Sequence, residues 1–168
     1  MNTQYRQPKI DDAEDLAKLH LKVWEDTYTG LLSDEVIHGR SLESRIEQWK
    51  NTITKCDNRR FIELAVVDDR IAGFIFASTD KRDNDIEADS EIYAINILKE
   101  VQKKGIGKAL LNDTFRWLRS QGCHSTYLWV LEANTNAIGF YHQVGGVSFQ
   151  KRKKLDCEHI ALRWELDG

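Results

Sequence analysis

The chain has 168 residues, 30% of them charged, and a net charge of −3. One domain spanning residues 1–168 with a sizeable core is expected, and the slightly acidic balance excludes a basic nucleic-acid footprint or a polybasic membrane surface. The first residues lack the apolar centre of a signal peptide, and no stretch approaches the roughly 20 apolar residues of a membrane span, so a cytoplasmic protein is expected.

Gln4 to Lys9 reads as a first edge strand. Asp11 or Asp12 then caps a helix in which Ala13, Leu16, Ala17, His20, Val23 and Trp24 share one face. His20 lies in that apolar stripe and is read as a core or cleft histidine rather than a ligand. A loop through Tyr28 and Gly30 leads to Ser33, the expected cap of a second helical stretch that reaches about Trp49 with a break near Gly39. Phe61 to Val67 and Ile71 to Ser78 alternate as a hairpin around Asp68-Asp69-Arg70. Residues 80–90 are a polar loop, with Asp80, Asp83, Asp85, Glu87 and Asp89 against Lys81 and Arg82. Such a loop is either a solvated connection or an acidic rim that draws a cation toward a neighbouring site.

The most informative stretch runs from Glu91 to Leu118. Glu91 to Leu98 is a β-branched and aromatic run of strand length. Gln102-Lys103-Lys104-Gly105-Ile106-Gly107-Lys108 follows, and then a helix in which Leu110, Leu111, Phe115 and Leu118 share a face. Two glycines between strand and helix let the backbone turn sharply and approach a ligand closely. The first amides of the helix have no intrahelical partner, and with the helix dipole they form an anion site. Lys103, Lys104 and Lys108 add positive charge, so a phosphate or pyrophosphate is the expected guest. A magnesium-binding P-loop is excluded because Ala109 stands where Ser or Thr is needed. A dinucleotide fingerprint is excluded by Leu110 in place of its third glycine.

Beyond this helix, Gly122 reads as its stop, Ser125 to Leu131 as a strand and Asn134 to Gln143 as a short helix. Val147 to Gln150 and His159 to Leu166 close the sheet as an antiparallel pair, with the basic run Lys151-Arg152-Lys153-Lys154 near the hairpin tip. Cys56, Cys123 and Cys157 are odd in number and widely spaced, which suits free thiols better than a disulfide framework, and no metal centre is expected.

Gln102-x-x-Gly105-x-Gly107, directly after a hydrophobic strand, resembles the acetyl-CoA pyrophosphate loop of the GNAT family of N-acetyltransferases. Asn134-x-x-Ala137-x-x-Phe140-Tyr141-x-x-x-Gly145 resembles that family's later motif, at the expected distance and again after a strand. With the strand before them, the two motifs and the elements between them cover Glu91 to Gly145, about a third of the chain. Lys99 and Gly146 depart from the family's usual proline and aromatic, without removing a chemical group.

The resemblance implies an α/β (α+β) fold: a mixed, mostly antiparallel sheet of six to seven strands flanked by about four helices. It implies transfer of acetyl from acetyl-CoA, as co-substrate, to a primary amine by direct attack. The pyrophosphate would lie on Gln102, Lys103, Lys104, Gly105, Ile106, Gly107 and Lys108. The pantetheine arm would run along the backbone at Ile95 and Ile97 in a gap between splayed strands, with Asn134 and Tyr141 also touching the cofactor. Tyr141 would protonate the leaving thiolate, and Glu91 would be either the base that takes a proton from the amine or an edge carboxylate held in a salt bridge. Trp24 and Tyr28 would line the acceptor side, and the basic run near residue 152 either keeps a hairpin tip soluble or meets the cofactor's ribose phosphate. The acceptor is expected to be a small-molecule or peptide amine, toward the cationic end because of the acidic loop, and the family allows a homodimer. An acyl-CoA-binding sensor with the same fold and no catalysis is the alternative.

Overall fold

The computed structural model describes residues 1–167. Strand β1 (Thr3–Arg6) is followed by a 3₁₀ turn at Ile10–Asp12 and three helices: α1 (Ala13–Tyr28), α2 (Asp34–His38) and α3 (Leu42–Thr54). Strands β2 (Arg60–Val67), β3 (Arg70–Ser78) and β4 (Ser90–Ile97) lead into α4 (Ile106–Ser120). Then come β5 (Ser125–Leu131), α5 (Thr135–Gln143), β6 (Val147–Lys154) and β7 (Cys157–Glu165). The seven strands form one sheet in the order β1-β2-β3-β4-β5-β7-β6. Every neighbouring pair is antiparallel except β4 and β5.

Local chemistry accounts for the element ends. Ser33 and Ser41 each accept a hydrogen bond from the backbone N–H three residues on, starting α2 and α3 on either side of the break at Gly39. Asp12 does not cap α1 as expected. Its carboxylate accepts from the Lys9 N–H at 2.6 Å and pairs with Arg6 at 2.8 Å, so the helix grows out of the 3₁₀ turn instead. The two hairpins turn on Asp68-Asp69 and Leu155-Asp156, all four with positive φ, as a two-residue turn between twisted strands requires. Because the second turn falls at Leu155-Asp156, the basic run belongs to β6 itself, which extends four residues past the expected end at Gln150.

Two apolar layers cover the sheet. On one side Leu110, Leu111 and Leu118 of α4 pack with Tyr141 of α5 against Ile75, Ile92, Leu128 and Leu162. On the other, Leu16 and Leu19 of α1 and Trp49 of α3 pack against Leu64 and Phe74. Each such side chain, fully buried, contributes roughly 1.5–3 kcal/mol. The 79–89 loop lies over this second face, where Ile86 packs with Tyr127 and Ala161. Among the described residues, no helix is long and apolar enough to cross a membrane.

The sheet opens at its parallel joint. β4 and β5 pair only at Ser90 with Thr126 and Glu91 with Tyr127. A register shift between β3 and β4 at Tyr93 bends β4 away just beyond that point. From Ile92 to Ile97 the β5-facing edge of β4 is therefore an unpaired strand edge inside the molecule.

Candidate active site

Gly105, at φ 83°, starts α4 without any side-chain cap, and Lys103 also has a positive φ of 61°. The first intrahelical bond runs from the Ala109 N–H to the Gly105 carbonyl at 3.0 Å. The N–H groups of Ile106, Gly107 and Lys108 are thus free of helical partners, and no acid stands in the first turn to neutralise the dipole. Lys103, Lys104 and Lys108 are exposed around them.

Gly107 is where three elements meet. A Cβ there would stand 3.0 Å from the Phe140 ring of α5 and 3.2 Å from the Ile97 side chain of β4. Gln102 Nε2 donates to the Ile97 carbonyl at 3.0 Å, so it braces the loop against the end of β4. The loop and the half-buried Ile95 and Ile97 consequently share one mouth, at the open end of the gap between β4 and β5. Asn134 caps α5 as expected, its Oδ1 accepting from the Ala137 N–H at 3.3 Å. Tyr141 follows two turns later, 7% exposed, with its ring edge-on to Trp164 at 5.8 Å. Burial pushes its phenol well above the ordinary range, so it stays protonated.

Glu91, at the head of β4, is held in a salt bridge, one of the two roles its position suggested. It is 1% exposed. One oxygen accepts from Arg82 Nε at 3.1 Å and Nη2 at 2.8 Å, and the other from the Arg82 N–H at 2.8 Å. The same guanidinium sits 4.3 Å over the Tyr93 ring. Tyr127, opposite Glu91 in register, is 0% exposed, and its phenol is pushed up by burial first and by Glu91 second.

Trp24 and Tyr28 are brought together with groups that the sequence did not single out. Their rings lie 4.3 Å apart, and Trp24 Nε1 donates to the Ile37 carbonyl at 3.2 Å. The Tyr28 hydroxyl is 3.3 Å from His159 Nε2, while His159 Nδ1 is 3.0 Å from the Cys157 carbonyl. A carbonyl only accepts, so Nδ1 carries the proton of the neutral ring and the Tyr28 O–H donates to Nε2. Burial lowers the His159 pKa and favours that neutral form.

Arg152 of β6 pairs in register with His159 and lies 4.0 Å over the Trp129 ring and 3.7 Å from Asp83. Through His159 the basic run thus adjoins the α1 side, not the lysines at the head of α4. The polar 80–90 loop is no free acidic rim either. Asp80 pairs with Arg59 at 3.2 Å, Asp83 with Arg152, and Asp89 accepts from the His124 N–H at 2.7 Å. His159 and Arg152 were findable from sequence only by placing the β6–β7 turn, because the register that joins them follows from it.

Residues 16–146 match the Acetyltransferase (GNAT) family. The uncharacterized N-acetyltransferase YuaI of Bacillus subtilis is 31% identical over 137 residues, covering 81% of this chain and 75% of the relative. The spermidine N(1)-acetyltransferase of Thermoplasma acidophilum is 26% identical over 148 residues, covering 86% and 88%. Among solved structures, the PaiA N-acetyltransferase of T. acidophilum in complex with coenzyme A superposes with a TM-score of 0.83 at 22% identity, covering 98% of this chain and 99% of that one. Motifs, sheet and family match agree: this chain belongs to the GNAT family of acetyltransferases.

Proposed function

We propose that the protein transfers the acetyl group of acetyl-CoA to a primary amine by direct attack within a ternary complex. The observation that carries this reading is the uncapped head of α4 opening onto the parted β4 edge. A pyrophosphate needs bare N–H donors and nearby positive charge, and Ile106, Gly107 and Lys108 with Lys103 and Lys104 supply both. Gly107 lets the head of α4 sit close against Phe140 and Ile97, where a Cβ would stand 3.0–3.2 Å from their side chains. The β4 edge at Ile95 and Ile97 offers backbone groups that can bond a pantetheine arm as another strand would. An N–H there, aimed at the developing oxyanion, is worth about 3 kcal/mol in other enzymes.

Bound acetyl-CoA supplies an activated thioester, and the chain's residues do the rest. Tyr141, kept protonated by burial, donates toward the leaving sulfur. Asn134 holds α5 in place and presents its side chain to the cofactor arm. Trp24 and Tyr28 form one wall of the acceptor site, in amphipathic rings that suit an amine with some apolar surface. The acceptor ammonium must lose a proton before it can attack, and Glu91 takes it, directly or through water, once Arg82 has moved aside. Arg82 can do so because its side chain is 56% exposed.

Thiol release from acetyl-CoA across a panel of amines tests the reading. Tyr141→Phe is expected to lower kcat about 100-fold, the usual scale of a general acid, with the KM for acetyl-CoA unchanged. An unchanged kcat would remove Tyr141 from the acid role, and no release with any amine would overturn the transfer reading.

A further inference from the structure

The acceptor side of the cleft carries positive charge that the transfer reaction itself does not explain. His20, Trp24 and Tyr28 follow one another at four-residue spacing along α1, one stripe of the helix. Arg40, between α2 and α3, lies 4.3 Å over Trp24. Tyr28 meets His159 on β7, His159 pairs with Arg152, and Lys154 stands two residues further along the same face of β6. Arg82 approaches from the head of β4. Three chain segments therefore bring Arg40, Arg82, Arg152 and Lys154 to one place, with Arg45 behind them.

Two carboxylates face this group, and both are engaged: Glu91 with Arg82 and Asp83 with Arg152. Glu158 pairs in register with Lys153, on the opposite face of the hairpin. Among the described residues, Arg40, Arg45 and Lys154 have no carboxylate within ion-pair distance. Arg45 is only 8% exposed, and its guanidinium donates to the Gln48 amide at 3.2 Å. Arg152 Nε, Trp129 Nε1 and the Tyr127 hydroxyl are buried with no hydrogen-bond partner in the protein. The cations also act on one another: the Lys154 ammonium is held below its ordinary range by burial, then by Arg152, Arg82 and Arg40. A chain of net charge −3 has gathered unpaired cations where its acceptor must sit. Arg45 is buried without a counter-charge, which is costly, and Arg40 and Lys154 stand exposed beside it with none either.

We propose that the accepted amine also carries an anionic group, a carboxylate or a phosphate, which Arg40, Arg152 and Lys154 hold while its amine faces Glu91. The proposal rests on the acetyl-transfer reading and names its substrate class. The anionic group also competes with Glu91 for the Arg82 guanidinium, which leaves Glu91 free to accept the ammonium proton. A polycation such as spermidine meets like charge in this site and is a poor acceptor.

The test is thiol release with matched pairs at equal concentrations of free amine. Glutamate and aspartate are compared with their amides, ethanolamine phosphate with ethanolamine, and spermidine is added. Acidic members are expected to exceed their neutral partners about 10- to 100-fold in kcat/KM, the range of a charged hydrogen bond. The larger of the carboxylate and phosphate preferences names the anion. In Arg40→Gln and Lys154→Gln, both at exposed positions, the acid-to-neutral ratio should fall toward one, with melting temperature recorded as a check on folding. Preference for spermidine or the neutral partners, with thiol released, would overturn this proposal and leave acetyl transfer standing. Silence across the whole panel while acetyl-CoA still binds would overturn both.

Discussion

Replacing Arg82 with glutamine isolates the ion pair at the head of β4. Glu91 is 1% exposed, and two of its three donors belong to the Arg82 guanidinium; the third, the Arg82 N–H, survives the substitution. Removing one partner of a buried pair costs about 3–5 kcal/mol because the remaining charge is left uncompensated. The Arg82 side chain is 56% exposed, so water can replace part of what is lost, and the lower end, about 3 kcal/mol, is expected. For a domain of this size each kcal/mol moves the melting temperature by about 2–4 °C, so Arg82→Gln should melt roughly 6–12 °C lower at neutral pH. Glu91→Gln in the same background should restore most of the loss, and the cycle of single and double variants isolates the coupling. A melting temperature unchanged at neutral pH would refute the assignment of Glu91 as a buried, guanidinium-held carboxylate.

Other expectations follow from single sites. Gly107→Trp fills the mouth beside Phe140 and Ile97, where even a Cβ would stand 3.0–3.2 Å from side-chain atoms, and should abolish coenzyme A binding by calorimetry; retained binding would place the cofactor elsewhere. His20 is held neutral down to about 4 by burial, then by Arg45 and Arg40, whereas an unfolded histidine protonates near 6.5. Stability is therefore full above that value and falls by up to about 3 kcal/mol as pH drops through this window. Melting curves of His20→Phe should lack this part of the acid limb. Glu63 is pushed up to about 7 by burial and then by Asp113. Its protonated form favours the fold, so this site loses stability as pH rises from about 4.5 to about 7. The difference between Asp113→Asn and the parent across that range should show a shallower loss, and parallel curves would dismiss the coupling.

Legibility from sequence followed how local each determinant is. The turn into α4 was readable because two glycines, a run of lysines and an amphipathic helix lie within about 15 residues, and the absence of a cap or an acid there is also a local fact. Ser33 and the stop at Gly122 were legible for the same reason. Asp12 misled because its carboxylate found Arg6 and the Lys9 amide, a choice made by the chain's path before the helix. The acceptor wall was beyond local reading. Tyr28 and His159 are 131 residues apart, and Arg152 reaches them only through the β6–β7 register. Composition of the 80–90 loop suggested an acidic rim, but ion pairs to Arg59 and Arg152 offset its acids, and Arg82 turns inward onto Glu91. Counting charges along the chain cannot anticipate which of them fold onto one another.

A crystal structure with coenzyme A bears most directly on the account. The pyrophosphate should lie within hydrogen-bond distance of the Ile106, Gly107 and Lys108 amides, with the pantetheine arm along β4 between Ile92 and Ile97 and its sulfur near the Tyr141 hydroxyl. Coenzyme A bound away from the head of α4, or a gap between β4 and β5 that closes without it, would contradict the account.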